Sequence, residues 1–216
     1  MTDPTRTLIA MLLDRSGSME SIKSDTEGGF NAFIAEQRDE PGEAKVTLAQ
    51  FDTDYEVVYA NRPIADVPPV QLQPRGATAL YDGVGRLITD VGTELSALPE
   101  DERPGTVVVV VMTDGHENSS VEWTHEAVAA AIKRQESEYS WYFVFLGANM
   151  DAVAIGRRMG FDADRSMTYD ANEAGVASAM ASTTVYVSRQ RRNAPAGAAA
   201  PGFSEADRVG ATGNQL

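Results

Sequence analysis

The sequence predicts an α/β fold: an open, mostly parallel, doubly wound sheet with helices on both faces. Three observations predict it. Short, uninterrupted apolar runs recur, as LIAMLL at 8–13, TVVVVVM at 106–112 and WYFVFL at 141–146. Such runs mark strands buried on both sides, as in a parallel sheet. Stretches of helical period separate them, and this strand–helix alternation defines the class.

The elements follow in order. Residues 8–13 form the first strand. Residues 19–38 form a helix, with Met19, Ile22, Phe30, Phe33 and Ile34 on one face. Residues 46–51 and 56–59 read as a hairpin turning through 52–54, which adds one antiparallel strand at an edge. Residues 61–76 contain Pro63, Pro68, Pro69 and Pro74 and are expected to be irregular. Residues 80–98 are the clearest helix: Leu80, Val84, Leu87, Ile88, Val91, Leu95 and Leu98 draw a single stripe. A strand at 106–112, a helix at 124–136, a strand at 141–146, a shorter helix at 151–159 and a short strand at 166–169 follow. The last helix, 173–188, turns Val176, Met180 and Val187 inward.

The domain is expected to span residues 1–190. Residues 191–216 form an Ala/Gly/Pro-rich tail expected to be disordered. Arg189, Arg191 and Arg192 suit the helix end, where positive charge complements the macrodipole. The island at 202–208, GFSEADR, is a short motif-like stretch within the tail.

Composition narrows the function. The 216 residues include no cysteine, which excludes disulfides, thiolate metal sites and a cysteine nucleophile. Net charge is −14, which repels phosphate backbones and anionic lipid and suits cations. No stretch approaches the about 20 apolar residues of a membrane span. The polar start and the short first apolar run do not resemble an export signal, so a cytoplasmic setting is expected.

Ligands of open parallel sheets collect beyond the carboxyl ends of the strands, where strand order reverses. Asp14, Arg15, Ser16, Gly17 and Ser18 follow the first strand, and Thr113, Asp114 and Gly115 follow the strand at 106–112. Gly76, Ala77 and Thr78 end the proline-rich loop. Side chains at i, i+2 and i+4 of an extended segment share a direction, so Asp14, Ser16 and Ser18 can aim three oxygens at one point. Oxygen-only donors select hard cations, and Mg²⁺ takes about six oxygens while keeping several waters. Neutral hydroxyls leave such an ion short of negative charge. No further acidic residue of the chain clearly fills the gap, which leaves room for a water or for a carboxylate from another molecule.

Blander roles exist for each residue. Ser18 can cap the helix that follows it, Thr78 can cap the helix at 80, and Asp114–Gly115 can be a simple turn. His116 and His125 are the only histidines, too few nitrogens for a zinc site. His116 is placed on the rim, where Glu117 and Asn118 help shape it. Arg15 and Arg75 are expected on solvated surface, and Asp52 and Asp54 in the hairpin turn. Trp123, Trp141, Phe143 and Phe145 are expected in the core.

DRSGS at 14–18, Thr78 in RGAT and Asp114 in TDG resemble, in order and context, the metal-ion-dependent adhesion site of von Willebrand factor A domains. The resemblance runs from about residue 7 to 188, without substitution at any motif position. It implies a Rossmann-like sheet of order 3-2-1-4-5-6 with the third strand antiparallel. It implies Ser16, Ser18 and Thr78 as direct ligands of Mg²⁺, with Asp14 and Asp114 acting mainly through water; Mn²⁺ or Ca²⁺ could replace the ion. The partner implied is a protein that supplies an Asp or Glu to the metal, not nucleic acid or membrane. Small stand-alone bacterial members are the most similar. The family also includes subunits of ring ATPases and chelatases and members linked to stress or tellurite resistance. An Mg²⁺-dependent phosphoryl-transfer enzyme is the competing class. Against it, Ser16 stands where the usual second acidic residue would be, and no phosphate-binding GxxxxGK[ST] loop occurs.

Overall fold

The computed structural model describes residues 2–193 and 199–213. Six strands form one sheet in the order β3-β2-β1-β4-β5-β6. They are β1 (Asp3–Asp14), β2 (Glu43–Phe51), β3 (Tyr55–Pro63), β4 (Pro104–Thr113), β5 (Tyr142–Ala148) and β6 (Ser166–Tyr169). All neighbours run parallel except β2 and β3. The antiparallel strand lies at the edge, as the hairpin predicted.

The apolar strands divide their side chains between two cores. Ile9, Met11 and Leu13 of β1 and Val108, Val110 and Met112 of β4 face one side. There they pack against α1 (Lys23–Arg38) and α5 (Glu173–Asn193). Leu8, Ala10 and Leu12, with Val107, Val109 and Val111, face the other side. That side holds α2 (Leu80–Ala97), α3 (His125–Tyr139) and α4 (Ala152–Arg158). Period-2 alternation with both faces covered explains why no polar residue interrupts these runs.

The helix expected over 19–38 divides in two. Gly17–Ile22 is a 3-10 turn, and α1 begins at Lys23. The proline-rich stretch carries the end of β3 and a short 3-10 turn at Ile64–Asp66. Its later part has no regular structure, yet Val67, Val70 and Leu72 are buried. Side chains of α1 satisfy its backbone: Asn31 Oδ1 accepts from Val70 N at 3.0 Å and Glu27 Oε1 from Leu72 N at 2.7 Å.

The tail departs from expectation. Residues 199–213 are ordered and include α6 (Glu205–Thr212), opened by a capping box of Ser204 and Asp207. Phe203 is buried, its ring 6.0 Å from that of Tyr186 on α5. Arg208 donates to the carbonyls of Ser166 and Ala163, and Asp170 N to Ala211 O. Composition misled here because one aromatic anchor, one arginine and one cap suffice when a surface already waits. The GFSEADR island thus docks onto its own domain. Residues 194–198 and 214–216 of the expected disordered tail lie outside the described residues.

Arg191 departs as well. It is buried and donates to the carbonyls of Gln37, Glu40, Pro41 and Gly42. It therefore closes the C-terminal end of α1 rather than that of its own helix.

Candidate metal centre

β1 lies between β2 and β4, so the strand order reverses at its carboxyl end. Leu13 pairs with Met112, which sets Asp14 and Thr113 side by side. The loop carrying Thr78 joins them through the backbone. Gly17 N donates to Gly76 O at 3.3 Å and Arg75 N to Arg15 O at 2.8 Å. Gly76 has φ +67, and a Cβ there would lie 2.8 Å from Thr53 Oγ1, so the turn requires glycine. Asn118 clamps the other side: its Oδ1 accepts from Thr78 N at 2.9 Å, and its N–H donates to Thr78 O.

The side chains converge as well. Asp14, Ser16 and Thr78 are buried, Asp114 is half-buried and Ser18 is exposed. Asp14 Oδ1 accepts from Ser16 N at 2.6 Å, and its Oδ2 from Thr113 Oγ1 at 2.5 Å. Ser16 Oγ and Ser18 Oγ lie 3.2 Å apart, and Ser18 Oγ donates to Asp114 Oδ1 at 2.6 Å. The Thr78 hydroxyl faces Gly115 so closely that a Cβ there would sit 2.6 Å from it.

The capping alternatives do not hold. The 3-10 turn is preceded by Ser16 and α2 by Ala79, and neither end has a side-chain cap bond. Glu117 takes the capping role instead, accepting from Tyr81 N at 3.0 Å. The hydroxyls of Ser16, Ser18 and Thr78 are thus not spent on helix ends.

The electrostatics of the site suit a cation. Burial pushes the Asp14 carboxyl up to about 6, against the lowering effect of its hydrogen bonds, and the nearby Asp114 adds to the rise. Burial raises Asp114 too. Among the described residues no lysine or arginine forms an ion pair with either carboxylate. The donors fit a hard divalent ion. Two adjacent ligands on an octahedral ion with bonds of about 2.1 Å lie about 3 Å apart, close to the serine separation of 3.2 Å. Among the described residues no group of three or more His, Asp or Glu is placed to hold a metal.

Arg15 is not on solvated surface, contrary to expectation. It is buried and turned away from the site, with Nε 2.8 Å from Asp52 Oδ2 and Nη1 2.5 Å from Glu56 Oε2. Exposed Arg75 binds the same Asp52 oxygen at 2.9 Å. Asp52 does sit in the turn, accepting from Asp54 N, but it also anchors both guanidiniums. Burial would raise its carboxyl; the Asp54 N–H and the two arginines outweigh this and hold it below the usual range. His116 is exposed just past Asp114. Trp123 is half-buried over Gly85, where its ring would meet any added Cβ at 2.0 Å.

Sequence reasoning placed Thr113 at the strand end without a role, and gave none to Tyr169 and Asp82. Tyr169 is fully buried below the site and donates to Thr113 O at 3.3 Å. Asp82 accepts from the N–H groups of Val121, Glu122 and Trp123, fixing the loop after Asp114. The TDG context of Thr113 was a usable signal; nothing local marked the other two.

The fold has counterparts among solved structures. Proximal thread matrix protein 1 from the mussel byssus superposes with a TM-score of 0.61 at 15% identity, over 83% of this chain and 45% of that one. A domain described as von Willebrand factor type A, from Catenulispora acidiphila, gives 0.57 at 16% identity, over 84% and 42%. The fold is that of a von Willebrand factor A domain. The corresponding domain of the type V pili tip protein Mfa5 from Porphyromonas gingivalis gives 0.57 at 10% identity, over 84% of this chain and 94% of that one. The chain thus spans less than half the length of the first two proteins. The mussel protein is also known with a zinc-occupied MIDAS motif. No family profile and no curated protein matches the chain. Among the described residues no helix is long and apolar enough to cross a membrane.

Proposed function

We propose that this chain is a divalent-cation-dependent protein-interaction module of the cytoplasm, and not an enzyme. In this reading Ser16, Ser18 and Thr78 hold Mg²⁺ through their hydroxyls, and Asp14 and Asp114 hold it mainly through water. When bound, the ion supplies a Lewis-acidic position that a carboxylate of a partner protein can take. The observation that carries the reading is the buried Asp14 carboxylate, unpaired by any described cation and surrounded by hydroxyls not engaged in capping.

Direct ligands without charge leave the ion positively charged in its site, so an anionic oxygen is the complementary ligand. Ser16 supports the non-enzymatic reading, because it stands where a phosphoryl-transfer site built on Asp14 would place its second acidic residue. The zinc-occupied motif of the mussel protein lends support by likeness.

Water-proton relaxation of the Mn²⁺-loaded protein tests the reading. A peptide carrying Asp or Glu should displace metal-bound water and lower the relaxivity. Its Asn or Gln counterpart should not. Equal responses to the two peptides would contradict it.

A further inference from the structure

A cavity of about 490 Å³ opens between α2 and α3, away from the metal centre. It is bounded by the second half of α2, around Gly92 and Leu95, and by the start of β4 at Val107. Thr78 precedes α2 and Asp114 follows β4, so most of this wall lies toward the opposite end of the sheet, with Trp123, from the loop after Asp114, closing the nearer side.

Three features set it apart. Its size falls within the range of small-molecule sites. Both tryptophans of the chain line it, Trp123 and Trp141, with Tyr139 beside them. Its lining includes Arg103 and Arg134 but no Asp or Glu, in a protein with 32 acidic and 18 basic residues. Arg103 binds the carbonyls of Leu98 and Ser96 through Nε and Nη2, and Arg134 Nε binds Glu138. A guanidinium has five N–H donors, so these bonds leave others for a ligand. Gly92 keeps the gap open: a Cβ there would meet nothing nearer than Gln135 Nε2 at 3.8 Å.

We propose that this cavity binds an aromatic monocarboxylate, its ring against the tryptophans and its carboxylate toward the two arginines. The half-buried Trp123 ring, with the edge of the buried Trp141 beside it, favours an aromatic body, and guanidinium groups favour a planar carboxylate. Arg103, bonded to carbonyls, brings the charge that selects the anion over a neutral analogue, and Arg134, already paired with Glu138, adds N–H donors. The inference is independent of the metal centre.

The test uses the intact protein in EDTA, with benzoate, cinnamate and 2-naphthoate as probes and their amides as controls. Tryptophan emission and calorimetry report binding, since both tryptophans lie in the cavity wall. At least one acid should bind saturably, and its amide about tenfold more weakly or worse. Gly92→Leu should abolish binding with an unchanged circular dichroism spectrum. Arg134→Glu, at an exposed position, should weaken the acid about tenfold and leave the amide unmoved; it stands in if the leucine variant does not fold. No saturable binding of any acid below about 5 mM, equal binding of acid and amide, or unchanged binding in a folded Gly92→Leu would each overturn the proposal.

Discussion

Thr113 Oγ1 donates a 2.5 Å hydrogen bond to Asp14 Oδ2, tying the end of β4 to the end of β1 beneath the candidate metal centre. Both residues are fully buried. Thr113→Val keeps the shape and removes the donor, leaving a buried carboxylate oxygen unsatisfied. The expected cost is about 1–3 kcal/mol of stability, read by urea denaturation, with weaker Mg²⁺ binding in parallel. A variant as stable as the parent would show that this bond does not support the site.

The buried Asp14 also sets a pH response in the metal-free protein. Its folded carboxyl titrates at about 6 against 3.8 for the ordinary group. The folded state therefore binds more protons across that window, and its contribution to stability grows as pH falls from 6 toward 4 and is lost as pH rises through 6. Above that window the ionised group costs roughly 3 kcal/mol. In EDTA, the parent's melting temperature relative to that of Asp14→Asn should rise on acidification from pH 7 to about 5. Parallel pH profiles for the two proteins would contradict this.

Asp52 has the opposite sign. Its lowered carboxyl stabilises the fold at neutral pH, and that contribution disappears as pH falls below the ordinary value of 3.8. Asp52→Ala leaves Arg15 buried with only Glu56 as a charged partner. The expected loss is about 3 kcal/mol or more. Arg75→Gln, which removes an exposed partner, should cost under about 1 kcal/mol. Chemical denaturation of both variants separates the roles, and equal costs would refute the assignment.

The C-terminal segment should behave as part of the domain. Phe203→Ala removes a buried ring from the Tyr186 contact and should cost about 2–4 kcal/mol. Limited proteolysis should then cut near 200–205 much faster than in the parent. Unchanged protection would mean the segment is held by other contacts.

The strands were legible because burial on both faces leaves runs of Val, Leu and Phe with no polar break. The candidate site was legible as a cluster because five oxygen-bearing residues fall at strand and helix ends in motifs of fixed spacing. What escaped was non-local. Arg15 became a buried ion-pair partner because Asp52 and Glu56 come to it from the hairpin. Arg191 reached across to the end of α1. The last helix forms because Phe203 and Arg208 find partners on α5 and around β6, and tail composition carries no trace of those partners.

Calorimetric titration of the metal-free protein with Mg²⁺ tests the central claim most directly. The parent should take up one ion per chain, and Ser16→Ala/Ser18→Ala, still folded by circular dichroism, should take up none at the same concentrations. No Mg²⁺ or Mn²⁺ uptake by the folded parent, or equal uptake by the double variant, would contradict the account.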